Sequence, residues 1–356
     1  MVKREAREIK EEIKSKSNTE DRVDFISTGS SMINLALSGQ AQTGGWGRGR
    51  IGNVVGDGSS GKSLLMLETM AWSYYNIQAT QSKIFPQVKK VTIVYDNNEL
   101  VMDFPVAKMY GQKFVNAIES VHSGTIEAFG RDYTRRVKAL KNGEFLLYVV
   151  DSWDSLDSEA GLERFEEAAT KDKTEDGSYK TEKPKYASEF FRHMCSLSEG
   201  KDVTLLIVSQ VRDKIGITFG KKQYRTGGKA LDFYTHQVLW LAEAEKLKKT
   251  YHGEPRVYGI RARGKVDRNK TWKPFRETNF TILFDYGVDD LASMIDWYYG
   301  PEVKKINFDG QDFDRQNVIP YIEKNKLHDM LIDMIQAEWD LIEAEIAPDR
   351  MARFEE

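Results

Sequence analysis

The stretch "VVGDGSSGKSLL" sets Gly56, Asp57, Gly58, Ser59, Ser60, Gly61, Lys62 and Ser63 between an apolar run and a helix-forming run. A G-x-x-x-x-G-K-S spacing between strand and helix suits polyphosphate chemistry. The glycines let successive backbone N–H groups curl around phosphate oxygens, and the start of the following helix adds a favourable dipole. Lys62 would neutralise the outer phosphates, and the Ser63 hydroxyl would ligate Mg2+. A second oxygen ligand comes from "FLLYVVDSWDSL", where Asp151 ends an apolar run from Phe145 to Val150. Ligands of open α/β sheets gather at that end of the strands. These residues predict a site for a nucleoside triphosphate with Mg2+.

Such a cradle requires strands that end together and a helix to follow. From Phe25 onward the chain alternates short β-branched or aromatic runs with helical patterns. Ile51–Val55, Val91–Tyr95, Ile118–Val121, Phe145–Val150 and Val203–Val208 are the strand candidates; Leu64–Ile77 and Thr125–Leu140 are helices. This alternation predicts an α/β core with a mainly parallel sheet flanked by helices. Gln237–Ala242, Val257–Arg263 and Thr278–Phe284 follow one another through short turns, which predicts an antiparallel extension. The polar stretch from Glu163 to Lys185 reads as a mobile excursion. The expected domains are an N-terminal docking helix or arm over 1–24, the core over 25–290, and a small acidic helical region over 291–356. In that last region Leu327, Met330, Leu331, Met334, Ile335 and Leu341 are expected on one face of the final helix.

Composition narrows the classes of function. At 40% hydrophobic and 30% charged, 356 residues can bury a core. The single cysteine, Cys195, excludes an internal disulfide framework and suits a reducing compartment. No apolar run is long enough to span a bilayer, so a cytoplasmic, nucleoid-associated protein is expected, with no membrane partner. The net charge of −3 hides two basic stretches. Arg212, Lys214, Lys221, Lys222, Arg225 and Lys229 face only Asp213 between 212 and 229, and the segment from 261 to 276 is similarly basic. The first basic stretch also holds Ile215, Ile217 and Phe219, apolar groups that a solvated loop does not need. Cations with interleaved apolar groups suit single-stranded nucleic acid, where phosphates supply affinity and any base can stack.

The motif order "ISTGSSMINLAL", "GDGSSGKS", "VVDSWDSL", "LLIVSQVRDKIGITFG", "TGGKALDFY" and "RNKTWKPF" resembles the RecA family of recombinases from about Phe25 to Val288. The short arm and acidic tail look most like virus-encoded members. The resemblance implies a RecA-type ATPase core and gives each position a role. Lys62 and Ser63 match the P-loop pair, Asp151 the metal-binding aspartate, and Gln210 the glutamine that senses the γ-phosphate. The catalytic carboxylate falls within "VTIVYDNNELVMDFPVAKMYG": one frame selects Glu99, another Asn98, and Asp96 is a third candidate. Glu99 is the expected general base. Arg268 and Lys270 match a basic pair that reaches the nucleotide of the neighbouring subunit, and Phe233 matches an interface residue. Phe284 matches an aromatic on the adenine, whereas Val106 stands where the family has a second, stacking tyrosine. The segment after Gln210 matches a DNA-binding loop, in which Arg212, Lys214, Ile215, Gly216, Ile217, Phe219, Gly220, Arg225, Thr226, Gly227 and Gly228 would make contacts. A first DNA loop would offer Lys183 and Lys185.

The function expected from this resemblance is an ATP-dependent DNA recombinase. It would form a helical filament on single-stranded DNA, pair it with homologous duplex DNA and exchange strands, with single-strand-binding or mediator proteins as further partners. Two alternatives stand beside it: a hexameric DNA helicase motor on the same core, and a recombination mediator with weak ATPase activity.

Overall fold

A computed structural model describes residues 23–100, 104–171, 182–213, 223–225 and 228–350. A short pairing of β1 (Phe25–Ile26) with β2 (Trp46–Gly47) brackets helix α1 (Ser31–Ser38). The nucleotide-cradle motif then joins β3 (Ile51–Gly56) to α2 (Lys62–Asn76). Strand β4 (Lys90–Asn97) leads through α3 (Val106–Tyr110) and α4 (Gln112–Ala117) to β5 (Ile118–Val121). Helix α5 (Ile126–Ala139) precedes β6 (Glu144–Asp151), and α6 (Glu159–Lys171) and α7 (Glu182–Leu197) precede β7 (Val203–Asp213). After β8 (Gln223–Arg225) and α8 (Gly228–Tyr234) come the long partners β9 (Gln237–Tyr251) and β10 (Glu254–Asn269). They are followed by β11 (Glu277–Leu283), β12 (Gly287–Asp289) and α9 (Asp290–Tyr299). A hairpin of β13 (Lys305–Phe308) and β14 (Gln311–Asp314) and helices α10 (Arg315–Asn325) and α11 (His328–Glu345) complete the described chain.

The main sheet runs β12-β11-β10-β9-β3-β7-β6-β4-β5, with β8 added beside β7. Strands β3 to β7 and β9 pair in parallel, and β9 to β12 pair antiparallel. This is the expected parallel sheet with an antiparallel extension. The reason is burial: β3 is buried throughout and β6 from Phe145 onward, because helices cover both faces. On one face lies α2, with Leu65, Met66, Leu67 and Met70 in the core. On the other, Phe129, Tyr133 and Val137 of α5 meet Phe190, Phe191 and Met194 of α7. Each such side chain contributes roughly 1.5–3 kcal/mol by leaving water.

Four features depart from the sequence expectation. The excursion from Glu163 to Lys185 is helical up to Lys171 and again from Glu182, because "ERFEEAATK" and "YASEFFRHM" are strong helix formers despite their charge. Strands β9 and β10 extend to Tyr251 and from Glu254, well beyond the apolar runs, because cross-strand pairing continues where burial stops. The C-terminal region contains a β-hairpin as well as helices, and it shares a core with Met32, Leu35 and Ala41 near the start of the chain. In α11 the buried stripe is Leu331, Ile335 and Trp339, whereas Leu341 is 65% exposed and Met330 is also at the surface. The expected arm over 1–24 lies outside the described residues except for its last two positions.

Candidate active site

The C-terminal ends of β3, β4, β6 and β7 open into a cleft of about 700 Å³. Its floor is the loop from Gly58 to Ser63, and its walls include Glu99, Asp151, Gln210 and Phe284. Gly61 has φ +88°, and a Cβ there would fall 2.4 Å from Ile282 Cδ1, so both conformation and space require glycine. No side chain caps the start of α2, which leaves its first-turn N–H groups available to a phosphate. Lys62 bends back to donate from Nζ to the Asp57 carbonyl at 2.6 Å, and burial pushes its ammonium below its ordinary range. The carboxylates Asp151, Glu99, Asp57 and Asp154 pull it back up. A buried ammonium ringed by carboxylates and open to a cleft is primed for a more strongly anionic guest.

Asp151 ends β6. Its Oδ2 accepts from the Tyr95 hydroxyl at 2.9 Å, and its Oδ1 is buried without a hydrogen-bond partner. Burial pushes this carboxyl up, while the hydroxyls of Ser63 and Tyr95 draw it down. A buried carboxylate oxygen left open beside a serine hydroxyl fits a divalent cation that also carries phosphate oxygens and water. Among the described residues no group of three or more acidic, histidine or cysteine ligands exists elsewhere to hold a metal.

The three candidates for the general base separate cleanly in space. Asp96 is fully buried, and its carboxylate accepts from the Ser123 N–H at 3.0 Å, the Ser123 hydroxyl at 2.6 Å, the Asn98 amide at 3.0 Å and the Tyr148 hydroxyl at 3.3 Å. It is an internal strut. Asn98 is also buried, and its Oδ1 accepts from the Gly124 N–H at 2.9 Å. Glu99 alone of the three lines the cleft, where its Oε1 accepts from Gln210 Nε2 at 3.0 Å. The backbone N–H of Gln210 donates to Asp154 Oδ2 at 2.7 Å. The glutamine is thereby held at its main chain by Asp154 and at its amide by Glu99.

Sequence reasoning missed several groups here. Tyr95 and Asp154 orient Asp151 and Gln210, and Glu243 and Lys246 of the β9–β10 hairpin line the cleft mouth. Tyr95 was legible as a strand-end hydroxyl, but the hairpin residues lie beyond any strand signal. Val106 is buried and away from the cleft, which is walled instead by Phe104, Pro105 and Met109. Phe284, 54% exposed, stands in the cleft wall opposite the loop.

The remaining residues lie elsewhere. Beyond Gln210, β7 continues and pairs with β8, Val211 opposite Arg225 and Arg212 opposite Tyr224. A two-stranded stem thus carries the basic segment, with Arg212 exposed. Lys214, Ile215, Gly216, Ile217, Phe219, Gly220, Thr226 and Gly227 lie outside the described residues, as does the side chain of Arg225; Gly228 opens α8. Lys183 turns inward, donating from Nζ to the Trp153 carbonyl at 2.7 Å and also to Leu156, so it tethers α7 instead of facing a strand of DNA. Lys185 is exposed. Arg268 pairs with Val238, which pairs with Asn53, three residues and roughly 10 Å before Gly56. Lys270 lies further still and donates from Nζ to the Phe233 carbonyl at 3.0 Å. Arg268, Lys270 and Phe233, whose ring is 70% exposed, therefore sit together at the end of the sheet opposite the cleft.

Comparison with known proteins places this architecture. The family model for the RecA N-terminal domain matches residues 137–289. Protein RecA of Synechocystis sp. is 31% identical over 324 residues, covering 86% of this chain and 79% of that protein. Protein RecA of Rippkaea orientalis is 29% identical over 321 residues, covering 85% and 79%. Protein RecA of Acinetobacter baylyi is 28% identical over 323 residues, covering 86% and 80%.

Proposed function

The chain belongs to the RecA family, and we propose that it is an ATP-dependent DNA recombinase whose copies assemble head to tail on single-stranded DNA, each nucleotide lying between two copies. The observation that carries this reading is the bond from Gln210 to Glu99 at 3.0 Å in the mouth of the cleft. The same glutamine sits two residues before Arg212, on the stem of the basic segment.

The backbone of Gly56 to Gly61 and Lys62 hold the phosphates, and Phe284 packs on the base. Ser63 and Asp151 would hold Mg2+, which would supply positive charge against that of the phosphates. Glu99 orients the attacking water and accepts its proton. Glu99 Oε1 accepts from the Gln210 amide. An amide placed between a carboxylate and a γ-phosphate has two alternative partners, so nucleotide biases its position and with it the stem that follows. Arg268 and Lys270, too far from their own cleft, complete that of the next copy. The basic and apolar segment beyond Arg212 then meets DNA, phosphates through its cations and bases through Ile215, Ile217 and Phe219. Such a filament would pair the bound strand with homologous duplex and release it after hydrolysis. Among the described residues no helix is long and apolar enough to cross a membrane.

The test is the ATPase rate with and without single-stranded DNA, with electron microscopy of the same mixtures and a strand-exchange assay. Stimulation, filaments and exchanged strands are expected. Unstimulated hydrolysis without filaments would overturn the reading, and unwinding of a forked duplex without homologous pairing would favour a helicase motor.

A further inference from the structure

At the end of the sheet away from the cleft, three chain segments are pinned to one another by their backbones. The His236 N–H donates to the Ile51 carbonyl at 2.8 Å, and its ring Nδ1 accepts from the Ile51 N–H at 3.2 Å. The His236 carbonyl accepts from the Lys270 N–H at 2.8 Å. Arg50 immediately precedes Ile51. Its stem runs beside Thr271, the residue after Lys270: a Cβ on Gly47 would fall 3.1 Å from Arg50 Cγ and 3.1 Å from Thr271 Cγ2. Arg50, His236, Arg268 and Lys270 thus converge from three rigidly joined segments.

Arg50 donates from Nη1 to the Gly49 carbonyl at 3.4 Å and Lys270 from Nζ to the Phe233 carbonyl at 3.0 Å, acceptors that carry no formal charge. On β10 Arg261 pairs with Glu245 and Asp296 and Arg263 with Glu277, and in the turn that follows Lys273 and Arg276 pair with Glu343. Among the described residues Arg50, Arg268 and Lys270 are in no such pair. Burial, then Arg50, Lys270 and Arg268, hold the His236 ring down to about 4, and burial with Arg268 lowers Lys270, against which only the Cys195 thiol acts in the opposite sense. Because Nδ1 is taken by the Ile51 N–H, the neutral ring carries its hydrogen on Nε2, which is a donor. Among the described residues the three cations have no carboxylate partner, so an anion received beside the Nε2 donor would relieve their mutual repulsion.

We propose that Arg50 and His236 join Arg268 and Lys270 in one anion subsite, built for the phosphate oxygens of a nucleotide held in the cleft of an adjoining copy. This rests on the head-to-tail assembly proposed above and adds two residues to it. Arg50 supplies a fork of N–H donors suited to phosphate, Lys270 a point charge, and His236 a neutral donor that fixes where an oxygen sits.

The subsite can be tested by complementation. With protomers dispersed and DNA absent, Arg50→Gln should bind a fluorescent ATP analogue as the unsubstituted protein does. Its DNA-stimulated ATPase rate should fall roughly 10- to 100-fold, the worth of one charge-assisted contact. Arg50→Lys should recover part of that loss. His236→Asn, which keeps an acceptor for the Ile51 N–H, should lose roughly 3- to 10-fold; an unchanged rate would remove the imidazole from the subsite. Lys62→Ala carries a disabled cradle and an intact subsite, and Arg50→Gln the reverse. Mixed before DNA is added, the two should exceed the sum of their separate rates. The same mixture with Lys270→Ala in place of Arg50→Gln tests the assembly itself. If only the Lys270 mixture regains activity, the enlarged subsite is wrong and the assembly stands. If neither does, the assembly reading falls and this inference with it. Lost nucleotide binding by dispersed Arg50→Gln would also overturn the inference, because Arg50 would then act on its own cleft.

Discussion

The two ends of the parallel sheet have opposite chemistry. At the C-terminal end, Asp151, Glu99, Asp57 and Asp154 surround one buried ammonium, that of Lys62, and glycines open a cavity of about 700 Å³. At the N-terminal end, Arg50, Arg268 and Lys270 surround an imidazole that they help keep neutral. In the first, Lys62 is the cation at the phosphate loop, and the other lysine of the cleft, Lys246, stands at its mouth beside Glu243. At the other end the three cations pair with no carboxylate among the described residues. Two such ends on one rigid sheet are complementary across copies but cannot meet within a copy. A contact between unlike surfaces that does not close on itself propagates as a helix. On the proposed assembly, a filament would follow from where the chain puts its charges.

This contrast is broken most severely by exchanging the lysines. Lys62→Ala should abolish nucleotide binding by dispersed protomers, and with it all DNA-stimulated hydrolysis. Lys270→Ala should leave that binding in place and reduce stimulated hydrolysis about a thousandfold, as for a cation supplied in trans. Equilibrium nucleotide binding beside steady-state ATPase rates separates the two. If Lys270→Ala weakens binding as much as Lys62→Ala, the ends are not functionally distinct.

Next in size is Glu99→Gln. A general base contributes roughly a hundred- to ten-thousandfold, so hydrolysis should fall within that range while filaments, which need only bound nucleotide, persist and live longer. Asp96→Asn tests the rejected alternative. Because Asp96 holds Ser123, Asn98 and Tyr148 in the interior, it should lower the melting temperature more than it lowers the rate of the folded fraction. Full loss of hydrolysis in Asp96→Asn at unchanged stability would reverse the assignment.

The C-terminal end of the sheet was largely readable in the sequence, and the other end largely was not. Gly56 to Ser63 and Asp151 are local signals: the residues that do the chemistry adjoin the apolar runs that place them. Glu99 was not separable from Asp96 or Asn98 by sequence, since all three follow one strand and only burial distinguishes them. The roles expected of Arg268 and Lys270 come from resemblance alone, and Arg50 and His236 carry no sequence signal at all. They come from three distant segments whose meeting is fixed by backbone bonds, which leave no pattern of side chains. The same reason hid the full length of β9 and β10, where "EAEKLKKTY" pairs as a strand while its side chains stand in solvent.

A smaller effect is expected from Phe284→Ala. Its ring forms part of the cleft wall, and losing one aromatic face on a base should weaken nucleotide binding about tenfold. The maximal rate at saturating ATP should stay nearly unchanged, because the ring touches no reacting atom. Were the maximal rate to fall and the affinity to hold, Phe284 would belong to the phosphate side of the cleft.

The subtlest difference between the ends lies in how their walls are joined. The far end is fastened by backbone bonds at Ile51, His236 and Lys270. The cleft is fastened in part by a half-buried side chain, Glu68 on the cradle helix. Its Oε1 accepts from the Tyr110 hydroxyl at 2.9 Å and from the Val288 N–H at 2.8 Å, tying together α2, α3 and β12. Burial pushes this carboxyl from an ordinary 4.5 up to about 7, with Asp290 adding to the rise and the two hydrogen bonds opposing it. A carboxyl raised on folding contributes stability that is complete below 4.5 and is lost as pH climbs through about 7. The whole swing is on the order of 3 kcal/mol. Glu68→Gln keeps an acceptor for both donors and carries no charge to desolvate. Its melting temperature should match that of the unsubstituted protein near pH 5 and exceed it by several degrees near pH 8. Calorimetry across that range decides the point. A difference that stays flat with pH would mean that Glu68 is solvated in the folded protein, and the cleft would then be held, like the far end, by backbone alone.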